Sequence, residues 1–155
     1  LTDMKIRRAV IQDFDRIMEL MINFANSSPL EAHHNPQYED MYVRKLLCEV
    51  IKNGCLIVGE HNDRIEGMLI AYINTDPWLP SIRILREWAW WVEEEYRHTT
   101  LGYKLLKKYI DYGTKMKDAG VVDEFMLTMM EISPELGLEK RGWNKVEHNF
   151  VYQGV

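Results

Sequence analysis

Cysteine is scarce in this sequence. Cys48 and Cys55 are its only two, they form no CxxC pair, and no Cys/His cluster has zinc-ligand spacing. That excludes a disulfide framework and a structural zinc site as organising devices, and reduced thiols in a cytoplasmic compartment are expected. Long apolar runs are missing too: no stretch of about 18 apolar residues occurs, so no membrane span is expected. The opening LTDMKIRR lacks the apolar region of a secretory signal and begins on Leu rather than Met. There is no basic excess either. The formal charge of −5 speaks against a surface that tracks a phosphate backbone, and no basic, aromatic-interleaved patch offsets it, so no nucleic-acid partner is expected.

What is present is an ordinary globular composition, 46% hydrophobic and 28% charged over 155 residues, which suits one domain spanning 1–155 with a core of its own. No internal repeat, low-complexity tract or linker interrupts it. Met4 to Ala9 reads as a strand. From Gln12 to Ala25, Phe14, Ile17, Met18, Met21 and Phe24 recur at helical spacing, with Asp13 and Asp15 suited to the positive end of the helix dipole. A break at Asn26–Pro29 and a polar loop, Leu30 to Gln37, lead to a helix over Tyr38 to Lys52. This helix turns Met41, Leu46, Leu47, Val50 and Ile51 inward and ends at Asn53-Gly54. A hairpin follows: Cys55 to Glu60, a turn at His61-Asn62-Asp63, and Arg64 to Ile73.

After the loop Asn74–Pro80, Ile82 to Val92 reads as a strand carrying Trp88, Trp90 and Trp91. A helix over Thr100 to Ala119 has Leu101, Leu105, Tyr109, Tyr112 and Met116 as its apolar stripe and closes at Gly120. A Met-rich strand over Phe125 to Ile132, a short helix after Ser133-Pro134 and a last strand over Lys145 to Tyr152 complete the chain. The order β-α-α-β-β-β-α-β-α-β mixes hairpins with strand–helix–strand crossovers. It predicts an α+β fold with a mixed, mostly antiparallel central sheet and flanking helices, and excludes a doubly wound parallel sheet.

One junction carries chemistry. Strand and helix meet through VEEEYRHTTLGY, Val92 to Tyr103. A helix N-terminus holds backbone N–H groups without partners and a partial positive charge, which together favour an anion. Gly102 permits close approach to the backbone, Arg97 adds a cation, and Thr99 and Thr100 add hydroxyls. The elbow reads as a diphosphate cradle or as an ordinary capped helix.

Context separates these readings. Arg97-His98-Thr99-Thr100-Leu101-Gly102 resembles the Q/R-x-x-G-x-G/A motif of the GNAT N-acetyltransferase superfamily. Val92 and the connector Glu93–Tyr96, the Arg7-Arg8-Ala9 segment with its amphipathic helix, and Glu139-Lys140-Arg141-Gly142-Trp143 are similar to other parts of that family, in the same order. The resemblance implies the GNAT fold and an acetyl-CoA-dependent N-acetyltransferase that acts by direct transfer in a ternary complex. It implies diphosphate contacts from Arg97, His98, Thr99, Thr100, Leu101, Gly102 and Tyr103. It also implies backbone pairing of Trp91 and Val92 with the pantetheine arm, and a backbone N–H at Trp90 to polarise the thioester carbonyl.

An alkyl ammonium must lose a proton before it attacks. Glu87 is the candidate base, with a structural salt bridge as its other reading. The acceptor is expected to be a small-molecule or peptide amine. The loop after the first helix offers it Glu31, His33, His34, Glu39 and Asp40; no metal is expected there and no membrane partner, while homodimers fit the resemblance. Two positions depart from the pattern. Thr100 replaces the motif's first glycine, and Leu138 stands where many members place a Tyr acid, a role left to Tyr152, Ser133 or water. These departures keep open a non-catalytic GNAT-fold regulatory or interaction module that binds CoA weakly or not at all.

Overall fold

The computed structural model describes residues 3–154; residues 1, 2 and 155, the outermost positions of the expected domain, lie outside the described residues. Its sheet has the strand order β1-β2-β3-β4-β5: β1 Lys5–Arg8, β2 Cys55–His61, β3 Arg64–Thr75, β4 Arg83–Val92 and β5 Glu124–Met126. The first four strands pair antiparallel and β4 pairs β5 in parallel. The expected α+β class with a mixed, mostly antiparallel sheet is what the chain forms. The β2–β3 turn lies at Asn62-Asp63, both with positive φ, 51° and 60°, the backbone twist that matches a two-residue hairpin.

Helices α1, Phe14–Asn26, and α2, Asp40–Asn53, cover one face. Phe14, Ile17, Leu20, Val43, Leu47 and Val50 are buried there against Val58, Met68 and Ile70 of the sheet. Met41, expected inward, is exposed. The buried stripe of α2 is Val43-Leu47-Val50, and Met41 falls outside it in the first turn. Asp13 joins β1 to α1 rather than serving only the helix dipole. It takes both arms of Arg7, at 2.7 and 3.0 Å, and accepts the Val10 N–H at 2.8 Å. The Arg7 guanidinium holds its carboxyl below the usual carboxylate range, opposed by partial burial.

Helix α3, Leu101–Asp118, covers the other face with Leu101, Leu105 and Tyr109. A glycine pair brings it close to the sheet. Gly59 and Gly67 are paired across β2 and β3. A Cβ on Gly59 would lie 2.4 Å from Leu101 Cδ1, and one on Gly67 would lie 3.0 Å from Leu105 Cδ1. The first turn of α3 therefore rests on bare backbone, and that contact fixes where the helix begins relative to the end of β4.

The C-terminal third departs from expectation. The strand expected over Phe125 to Ile132 pairs only through Glu124–Met126. The short helix expected after Ser133-Pro134 is instead a 3-10 turn at Leu138–Arg141, flanked by Gly137 and Gly142 with φ of 59° and 92°. The strand expected over Lys145 to Tyr152 makes no ladder, and Val146, Phe150 and Tyr152 are exposed. Alternating hydrophobicity specifies a face, but a strand also needs a paired edge, and β5 has ended by Met126.

Candidate active site at the β4–β5 fork

Pairing between β4 and β5 stops after Arg86↔Met126, and two side chains hold the point where the strands separate. Tyr109 of α3 donates to the Met126 carbonyl at 2.5 Å, with the Leu85 carbonyl at 3.3 Å. Glu87 Oε2 accepts the Thr128 N–H at 3.0 Å. Glu87 is only 6% exposed, and burial pushes its carboxyl up from the ordinary 4.5 to about 7, partly offset by the Thr128 N–H. A carboxyl that titrates near neutrality at the apex of a fork can accept a proton.

The strand is irregular at this point. Ile70 faces Ala89 while Ala71 faces Glu87, so Trp88 is the extra residue of a bulge on β4. A bulge re-aims the side chains on either side of it. Leu85, before it, belongs to the core under α3, and Ala89 belongs to the core under α1 and α2. Of the three tryptophans, Trp90 packs toward α3 and Trp91 toward α1. Trp88 stacks on Tyr72, with centroids 5.1 Å apart and planes at 30°. Trp88 and Ala89 form one wall of an apolar cavity of about 370 Å³, closed by Met21 and Phe24 of α1, Leu47 of α2, and His33 and Tyr38 between the helices.

The elbow begins one residue beyond β4. Glu93 donates its N–H to the Glu66 carbonyl at 2.9 Å. Its carboxylate takes Arg16 at 3.3 Å, Asn23 at 3.0 Å and the Trp91 indole N–H at 3.2 Å. This clamp anchors the end of β4 to α1. It also lines a second cleft of about 350 Å³, together with Glu66 and Arg97, whose carboxylates Glu66 and Glu93 already face Arg16. A turn at Glu94–Tyr96 leads to Thr100, the N-cap of α3. Thr99 Oγ1 donates to the Tyr96 carbonyl at 2.5 Å and accepts the Leu101 N–H at 3.2 Å. Among the described residues, the N–H groups of His98, Thr100, Gly102 and Tyr103 find no acceptor. Thr100 has a negative φ, −81° with ψ 3°, so this position does not need the left-handed backbone that would favour glycine.

Gly102 is free of packing demands. A Cβ there would meet only Val92 Cγ2, at 3.6 Å, so its bare face is available to a ligand. Arg97 is a cation fixed at the lip of the elbow. It stacks on Trp91 at 4.5 Å and donates Nε to the Val92 carbonyl at 3.1 Å, which holds it against the end of β4. Tyr103 is exposed beneath Arg141, 5.3 Å from its ring centroid. Among the described residues, no three His, Cys, Asp or Glu side chains are grouped to hold a metal ion, and no helix is long and apolar enough to cross a membrane.

The sequence model of the Acetyltransferase (GNAT) family matches residues 16–133. The chain belongs to the GNAT acetyltransferase family. Solved structures repeat the fold over nearly its whole length. An acetyltransferase of Trypanosoma brucei is 17% identical with TM-score 0.68, over 97% of this chain and 99% of that one. Glucosamine-6-phosphate N-acetyltransferase of Arabidopsis thaliana is 18% identical with TM-score 0.68, over 97% and 99%. An aminoglycoside acetyltransferase from an uncultured soil metagenomic sample is 15% identical with TM-score 0.69, over 97% of both chains. No curated protein sequence matches the chain significantly.

In this GNAT chain, Glu87, Trp90, Trp91, Val92 and the elbow 97–103 lie along one continuous path from the fork to the start of α3. Of the loop residues expected to face the acceptor, His33 lines the apolar cavity and Asp40 accepts from Arg44 at 2.9 Å. Sequence reading missed the Trp88 bulge, the Glu93 clamp and the Tyr109 pin. Each depends on partners distant in the chain; only the Gly59 and Gly67 pair, opposite the start of a helix, left a sequence trace.

Proposed function

We propose that the chain is an acetyl-CoA-dependent N-acetyltransferase that transfers its acetyl group directly to a primary amine within a ternary complex. The observation that carries this reading is the continuity of site and charge. A buried carboxyl titrating near 7 stands at the fork, and unpaired N–H donors stand at the α3 elbow. When bound, acetyl-CoA supplies the activated thioester.

The N–H groups at His98, Thr100, Gly102 and Tyr103, with the elbow residues Arg97, Thr99 and Leu101, hold the diphosphate. The backbone of Trp91 and Val92, past the end of β5 pairing, receives the pantetheine arm. The N–H at Trp90 polarises the thioester carbonyl, whose oxygen gains negative charge as the amine attacks. Glu87 takes the proton of the incoming ammonium; a base matched to neutral pH serves this best. Ser133 Oγ accepts the Met130 N–H at 3.0 Å, which leaves its own proton to give, and Tyr152 is exposed, so Ser133, Tyr152 or water protonates the departing thiolate.

Initial rates with thiol detection test this. Varying acetyl-CoA and amine together gives intersecting double-reciprocal lines, and Glu87→Gln lowers kcat about 100-fold or more. Parallel lines contradict direct transfer, and unchanged turnover in Glu87→Gln removes its role as base. Leu138 at the acid position, within the 3-10 turn, favours a second reading as a non-catalytic GNAT module. That reading requires no turnover and no stabilisation by CoA.

A further inference from the structure

The cavity behind the β4 bulge restricts which amine this chain accepts, an inference that rests on the acetyltransferase reading above. We propose that the acceptor carries a single primary amine on an apolar body, arylalkyl or branched alkyl, and that polyamines and amino sugars are excluded.

The walls supply the argument. No Asp, Glu, Lys or Arg lines the cavity. Tyr38 donates to the Met21 carbonyl at 3.2 Å and His33 Nδ1 meets Ser28 Oγ at 3.0 Å, so neither brings a charge to the cavity that would pair with an ammonium. The floor is Leu47, Val50 and Ile70, each at most 3% exposed, and the stacked Trp88–Tyr72 pair gives Trp88 a fixed position in the wall. A flat ring or branched chain fits such a wall, while a second ammonium would lose water there and find no carboxylate. Glu87, the base proposed above, is adjacent to Trp88 in the chain but outside the lining, so the cavity receives the body of the acceptor and not its ammonium. The acidic residues flanking the loop do not change this. Glu31, Glu39 and Asp40 are absent from the lining.

The test compares 2-phenylethylamine, spermidine and kanamycin as acceptors for the full chain, by thiol release. It also compares their binding to the CoA-loaded protein through tryptophan fluorescence. The expected result is a kcat/KM for 2-phenylethylamine about 100-fold or more above either polycation. Leu46→Glu, which adds a carboxylate to a half-buried part of the wall, is expected to narrow that ratio at least about tenfold. Leu46→Ala controls for loss of packing and keeps the preference. Preference for spermidine or kanamycin overturns the proposal while leaving the transferase reading intact. If no amine is turned over, the transferase reading fails. Binding then decides the amine class: saturable binding of 2-phenylethylamine weakened by Leu46→Glu upholds it, and absence of binding overturns it.

Discussion

Glu87→Gln should stabilise this protein at neutral and alkaline pH, although it removes the proposed base. The buried carboxyl titrates at about 7 in the fold, against an ordinary 4.5. Between those values the folded chain keeps a proton that the unfolded chain has released, so stability falls as pH rises through that window. At ~1.4 kcal/mol per unit, the full effect is about 3 kcal/mol by pH 8. Glutamine cannot ionise, and its amide oxygen still accepts the Thr128 N–H, now 3.0 Å from Oε2. Urea unfolding followed by tryptophan fluorescence between pH 4.5 and 8.5 should therefore show two proteins of similar stability at the acid end. The variant should lead by about 3 kcal/mol at the alkaline end. The turnover of the unmodified enzyme should climb through the same range as Glu87 ionises. A stability difference that does not change with pH, or a variant less stable at pH 8, would refute burial of an ionisable carboxyl at the fork.

Gly102→Ala should leave the melting temperature unchanged or higher, since the added methyl meets only Val92 at 3.6 Å and alanine favours helix by up to ~1 kcal/mol. Its KM for acetyl-CoA should nonetheless rise about tenfold, or ~1.4 kcal/mol; an unchanged KM would remove Gly102 from the cradle. Tyr109→Phe should destabilise by about 1–2 kcal/mol in denaturant titrations, because it strands the Met126 carbonyl that the hydroxyl now reaches at 2.5 Å. Burial pushes the Cys55 thiol up to about 12 while Cys48 is exposed. An aromatic disulfide reagent at pH 8 should label one thiol in the native protein and two in urea, and two rapid native labels would contradict that burial.

Much of the fold was legible because local signals agreed with it. The Asn62-Asp63 turn, the Gly54 stop and the helical spacing of Leu101, Leu105 and Tyr109 each point to the element that forms. The family motif located the elbow. The bulge at Trp88 was not legible, since nothing in REWAWW marks which residue loses its partner on β3. The apolar cavity was not legible for a related reason. Glu31, Glu39 and Asp40 are close to the cavity in sequence, yet the helices present Met21, Phe24 and Leu47 to it instead. The C-terminal alternation at Val146, His148 and Phe150 indicates a strand-like face, but β5 ends at Met126 and offers no edge for it to pair with.

The central claim is that the elbow after β4 binds the diphosphate of coenzyme A through main-chain donors. Titrating CoA into ¹⁵N-labelled protein tests it most directly. The account predicts saturable shifts at the amides of His98, Thr100, Gly102 and Tyr103, with Gly120 at the far end of α3 unmoved. Saturating CoA that leaves those four amides in place would contradict it.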